Sequence, residues 1–136
     1  MSVEIPEKYL DLLQRPIVAA LSTLMPDLQP QTTPVWFSFD GKQIWINTAR
    51  NRQKDENMTE RPRVSVLVID PDNPYRYIEV RGTVVEQTEE GGVDHINQLS
   101  AAYTNQPDYY ASNPLQRERE TRVIYKIDPT RVIVRG

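Results

Sequence analysis

The sequence predicts a small, mainly β fold: an antiparallel barrel with helices packed around it. Three observations point there. Short β-branched or alternating runs recur along the chain, Asp40-Gly41 is a strong hairpin signal, and helical spacing is confined to four stretches. At 136 residues the chain suits one domain, 1–136, with no internal repeat, low-complexity tract or linker.

The first helix is expected over Pro6 to Arg15, where Tyr9, Leu10, Leu12 and Leu13 oppose Glu7, Lys8, Asp11 and Gln14. Ile17 to Leu24 reads as a strand ended by the turn Met25-Pro-Asp-Leu-Gln-Pro30. Gln31 to Phe39 and Gln43 to Thr48 form a hairpin across Asp40-Gly41, with Ile44 and Ile46 on one face and Trp45 and Asn47 on the other. Gln53 to Thr59 fits about two helical turns that stop before Pro62. Val64 to Ile69 is a β-branched central strand.

After the turn Asp70 to Pro74, Tyr75 to Glu86 is a strand in which Gly82 marks a bulge or sharp bend. Val93, Ile96, Leu99, Ala102 and Tyr103 recur at helical spacing, and a shorter helical piece is expected after Pro107 through Tyr109 and Tyr110. Arg122 to Ile127 and Arg131 to Val134 close the fold as two strands separated by Asp128-Pro-Thr. The count is six or seven strands.

Composition excludes several chemistries. Without cysteine there is no disulfide, thiolate catalysis or thiolate metal site, and the one histidine, His95, cannot build a histidine-rich centre, so no metal is expected. A net charge of −3 argues against nucleic acid as a partner, since such binders carry a broad basic surface. No run reaches the roughly eighteen apolar residues of a membrane span. The N-terminal residues lack a signal pattern, so a cytoplasmic protein is the expectation. No phosphate-binding loop, nucleophile elbow or dinucleotide fingerprint occurs; Ser22, Ser38 and Ser65 lie inside strands, and His95 reads as a surface or helix-packing residue.

One segment stands out against this background. Asn47 to Arg63 follows a strand and places Arg50, Arg52 and Lys54 within five residues with no acid among them. Guanidinium forks, a lysine charge and free amides at a helix start are what holds a phosphate. Lysine near the positive end of a helix costs about 0.3–1 kcal/mol unless an anion offsets it. An ordinary solvated face, with Asp55 and Glu56 neutralising Lys54, is the plain alternative. Tyr75-Arg76-Tyr77, alternating along a strand, offers two tyrosines on one face, to wall a planar ligand or to pack at a subunit contact. Pro34-Val-Trp36 offers a broad flat surface, or an ordinary core or interface tryptophan.

Taken in order and spacing, these segments resemble the split-barrel flavin-binding superfamily typified by pyridoxamine 5′-phosphate oxidase, and most closely its small branch that uses the deazaflavin cofactor F420. The matching pieces are Ile17–Leu24, Gln31–Phe37, Ile44–Arg50, Lys54–Met58, Arg61–Val64 and Tyr77–Gly82; the loop after Leu24 replaces the short glycine turn common there. The resemblance implies a homodimer of six-stranded antiparallel split β-barrels with peripheral helices and with cofactor at the subunit interface. It implies that Arg52 and Lys54 hold the cofactor phosphate, helped by Thr48, Ala49 and Arg50. Gln31, Pro34 and Val35 would lie along the ring, and Tyr75 and Tyr77 would reach the cofactor from the other subunit. The expected activity is hydride transfer between F420 and a small organic substrate, with no protein nucleophile nominated because the cofactor carries the reactive atom. An FMN-dependent oxidase, a non-enzymatic flavin, haem or tetrapyrrole carrier, and a structural dimer with an empty groove are the alternatives.

Overall fold

Seven strands form one antiparallel sheet in the order β2-β1-β5-β6-β7-β4-β3 in the computed structural model, which describes residues 3–136. They are β1 (Ala19–Leu24), β2 (Pro30–Val35), β3 (Phe37–Phe39), β4 (Ile44–Ala49), β5 (Arg63–Ile69), β6 (Tyr77–Thr88) and β7 (Arg122–Arg135). The two edges of the sheet are β2 and β3, yet only Trp36 separates them in the chain. One extended segment therefore pairs with β1 through its first half and with β4 through its second. A sheet whose edges are covalently continuous must curl, and counting this bent segment once gives the six strands of the expected split barrel. Pro30 and Pro34 are tolerated because β2 is an edge strand with a free side.

The barrel interior follows the period of two. Ile44, Ile46, Val66, Val68, Ile78, Val80, Tyr125 and Ile127 are all fully buried, each aliphatic side chain stabilising the fold by about 1.5–3 kcal/mol. Tyr9, Leu12 and Leu13 from the N-terminal segment and Met58 from helix α2 (Gln53–Glu60) join the same core. The Asp40-Gly41 hairpin forms as expected: the Asp40 carboxylate accepts the amides of Lys42 and Gln43, and Gly41 takes φ +100°.

Four expectations need correction. The first helix is a 3₁₀ turn, Glu7–Tyr9, followed by a four-residue α1, Asp11–Gln14. Pro16 holds Arg15 extended and ends it early. Strand β6 starts at Tyr77, so Tyr75 lies in the preceding loop, 81% exposed. After Pro107 the chain turns, because the Asn97 and Asp108 side chains take the amides of Tyr109 and Tyr110 that a helix would pair. Beyond α3 (Gly92–Thr104), the next helix is α4 (Pro114–Arg119), started by proline at its first position.

The closing strands are one strand. Opposite Gly82 the register slips, with Arg81 facing Arg131 and Gly82 facing Pro129, so the bulge at Thr130 absorbs the Asp-Pro-Thr turn signal. Gly82 is the residue that permits it: a Cβ there would lie 2.5 Å from the Asp128 carbonyl oxygen and 2.6 Å from Ile127 Cγ2. No helix among the described residues is long and apolar enough to cross a membrane. Gly82→Ala is expected to destabilise the protein by about 1–3 kcal/mol through this clash, read as a lower midpoint in denaturant unfolding; an unchanged midpoint would contradict the close packing of β6 on β7.

Candidate functional site

At the end of β4 the chain turns into α2 through Arg50, Asn51 and Arg52. Asn51 takes φ +73°, and its amide donates to the Asp55 carboxylate at 3.0 Å. Asp55, almost fully buried, also receives Arg50 Nη1 at 3.0 Å and the Tyr125 hydroxyl from β7. Thr59 Oγ1 lies 3.0 Å from the same hydroxyl, so α2 is pinned to the sheet along its length. Burial and the Asp55 carboxylate push the Tyr125 phenol up to about 12. Arg50 completes the brace with Glu89 at 2.9 Å. Its guanidinium is committed to the junction.

The other two cations of the run are not. Arg52 caps the helix position without a side-chain cap bond, and the amides of Gln53, Lys54 and Asp55 have no hydrogen-bond partner among the described residues. Arg52 and Lys54, at this helix start, border a cleft of about 330 Å³. Asn47 and Thr48 of β4 form its floor, and Val18, Pro34, Val35 and Trp36, with Ile96 and Leu99 of α3, Tyr109 and Arg122, line the rest. Trp36 stacks on Tyr103 with ring centres 5.3 Å apart, and Tyr109 meets its edge at 6.1 Å.

Of the ten residues singled out from the sequence, five meet in this cleft: Pro34, Val35, Thr48, Arg52 and Lys54. The others lie elsewhere. The Gln31 side-chain carbonyl accepts from Thr23 of β1 and from the buried Asn57 of α2. Ala49 is buried in the β4–β7 ladder opposite Arg122, and Arg50 is in its brace. Tyr75 is in an exposed loop, and Tyr77 lies on the outer face of the sheet beside Leu67 and Ile69. Arg76 between them is held by Asp11 and Asp70 at 2.6 and 2.9 Å.

Sequence reasoning missed Arg122, because a cation opening a strand looks like an ordinary exposed end. Here it is buried. Its Nε donates to Glu120 at 3.0 Å and Nη1 to Asn47 Oδ1 at 3.4 Å, while its guanidinium lies 4.8 Å above the Tyr109 ring. Nη2 comes within 2.9 Å of Glu120 without an aligned hydrogen bond, and the buried Thr48 hydroxyl has no partner at all. Burial foremost, then Arg52 and Arg122, hold the Lys54 ammonium below its ordinary pKa. Three cations thus converge with buried polar atoms unmet, and an anion rich in acceptor oxygens would satisfy them.

Behind the floor, His95 of α3 is buried with both ring nitrogens engaged: Nε2 with Ser38 Oγ at 2.8 Å and Nδ1 with Asn47 Nδ2 at 3.1 Å. An amide donor at Nδ1 sets the neutral tautomer with its proton on Nε2. The ring braces Asn47, which in turn meets Arg122. Burial lowers the imidazole pKa to about 4.

Comparison with known proteins bears on this arrangement. A sequence model of the pyridoxamine 5′-phosphate oxidase family matches residues 5–136. A solved F420 reductase is 35% identical, covering 95% of this chain and 98% of its own, with a TM-score of 0.81. A conserved hypothetical protein of Mycobacterium tuberculosis is 26% identical over 99% of this chain and 86% of its own, at a TM-score of 0.76. General stress protein 26 of Bacillus anthracis, 22% identical over 95% and 92%, shares the fold at a TM-score of 0.69. No curated protein sequence gives a match.

His95 provides a test of the floor. With its pKa depressed in the folded state, its stability contribution is complete above pH about 6.5 and is lost as pH falls toward 4, amounting to about 3 kcal/mol. Carboxylates titrate mostly below about pH 4.5. Thermal unfolding is therefore expected to weaken between pH 6.5 and 4.5 in the native protein and to stay nearly flat there in His95→Gln. Equal slopes in the two proteins would contradict the buried neutral imidazole.

Proposed function

The chain belongs to the pyridoxamine 5′-phosphate oxidase family, and from that premise we propose that it is an oxidoreductase that uses the deazaflavin F420 with a small organic substrate. The observation that carries the choice of cofactor is the 35% identity to an F420 reductase along nearly the whole of both chains. The phosphate anchors alone do not choose, because F420 and FMN share a ribityl phosphate. When bound, the deazaflavin supplies hydride transfer at C5 of its ring.

The residues have distinct tasks. Arg52 and Lys54, with the three uncapped amides of α2, hold the phosphate; their charges and fixed N–H groups are in place before binding, so little reorganisation is needed. Thr48 gives its unpartnered hydroxyl to the same ligand. Arg50 acts through the Asp55 and Tyr125 brace, keeping the helix start aimed at the cleft. Pro34, Val35 and Trp36 offer an apolar wall along the ring and exclude water from it. Gln31 supports α2 through Asn57.

A second copy of this chain completes the site. The outer face of β1, β5 and β6 carries apolar grooves of about 530 and 300 Å³ lined by Ala20, Leu67, Ile69 and Tyr77 among others. Val18 and Pro34 border both the smaller groove and the cleft, so a subunit seated on this face would roof the ring wall. Tyr77, and Tyr75 in the adjoining loop, would be the aromatic side chains offered across the interface.

Two measurements test this reading. In titrations of the purified protein, F420 is expected to bind more tightly than FMN, and Lys54→Ala to weaken F420 at least tenfold, about 1.4 kcal/mol; equal weak binding of both would overturn the cofactor, and undiminished affinity in the variant would overturn the anchor. Sedimentation is expected to give a dimer, with Leu67→Asp producing monomers that have lost F420 affinity. A monomeric native protein that binds F420 fully would remove the partner subunit from the site.

A further inference from the structure

One carboxylate pairs with two of the three cations that line the cleft. Glu120, just beyond α4, stands behind Arg52 and Arg122 and is largely buried. Its Oε1 accepts the Tyr110 hydroxyl at 2.7 Å and Arg122 Nε at 3.0 Å; its Oε2 accepts Gln116 Nε2 at 3.2 Å and lies 3.8 Å from Arg52 Nη2. Although burial opposes it, bonds from Tyr110 and Gln116 and the charge of Arg122 keep this carboxyl below its ordinary pKa. Tyr110, Gln116, Arg122 and Arg52 surround the Glu120 carboxylate. It remains a fixed negative charge beside the place where the phosphate is held.

We propose that Glu120 biases the cleft toward a singly charged phosphodiester and against a doubly charged phosphomonoester. The inference rests on the cofactor reading above and adds the residue that selects the phosphate. F420 carries a phosphodiester, because its acidic tail extends from the phosphate; FMN ends in a monoester that bears up to two charges near neutral pH. Arg52, Lys54 and Arg122 attract both. Glu120 largely neutralises Arg122 and repels the second charge of a monoester, so the dianion gains less from the site than the cations alone would give it. The interaction of one further unit charge with a carboxylate beside a half-solvated cleft is worth about fivefold in affinity.

The test compares FMN with its methyl phosphodiester, which share a ring and differ by one charge, in the native protein, in Glu120→Gln and in Gln116→Lys, at pH 8. Gln keeps an acceptor for Tyr110 while removing the charge; Gln116→Lys sets an ammonium against the Glu120 carboxylate and leaves the glutamate in the chain, so it decides the matter if the first variant fails to fold. Each variant is expected to raise the affinity for FMN about fivefold relative to the methyl ester. F420 binding to the native protein is measured alongside. A ratio unchanged in the folded variants, with F420 still bound, would overturn the role of Glu120 and leave the cofactor reading standing. Failure of the native protein to bind F420 or either flavin would overturn both.

Discussion

The join at Trp36 is the constraint on which the cleft depends. Val35 is the last residue of the chain paired to β1 and Phe37 the first paired to β4, so the backbone changes partner across a single residue. A gap must open where the ladder is interrupted, and its polar groups need other partners. Tyr103 of α3 supplies them: its hydroxyl donates to the Ile17 carbonyl at 2.8 Å and accepts the Phe37 amide at 3.3 Å. Burial pushes that phenol up to about 12, so it stays protonated and able to donate. The contact that stabilises the strand switch also stacks Tyr103 on Trp36 and fixes α3 beside the cleft. Fold closure and pocket construction are one event.

On the other side of the cleft, a division of labour among cations does comparable service. A run of basic residues would repel itself if all three pointed to one place. Arg50 is instead drawn into the Asp55, Glu89 and Tyr125 network and so holds the helix start in position, while Arg52 and Lys54 line the cleft. Bringing Lys54 into a partly buried site beside Arg52 and Arg122 disfavours its charged form. A bound anion would reverse that sign. Such an arrangement costs stability in the free protein, and the proposed phosphate would offset that cost.

The parts legible in the sequence were those governed by short-range rules. Alternation through Val64–Ile69 and Ile44–Thr48, the Asp40-Gly41 hairpin and the two-turn helix stopped by Pro62 all follow from local spacing and backbone chemistry. Arg52 and Lys54 were legible for the same reason, since a helix start positions its own flanking residues. Arg122 was not, because its burial depends on α3, on the Tyr109–Tyr110 turn and on Glu120 together. The long β7 strand was hidden by a genuine turn signal that a bulge opposite Gly82 absorbs. Tyr75 fell outside its expected strand because Arg76 is pulled toward Asp11 and Asp70, ending the loop one residue before Tyr77.

The central claim is that an anionic cofactor enters the cleft between Trp36 and the start of α2. A crystal structure of the protein grown with F420 examines it most directly. The account predicts the phosphate within hydrogen-bond distance of Arg52, Lys54 and the first amides of α2, with the ring along Pro34 to Trp36. A phosphate bound away from the helix start, or a ring on the outer face beside Leu67 with the cleft empty, would contradict it.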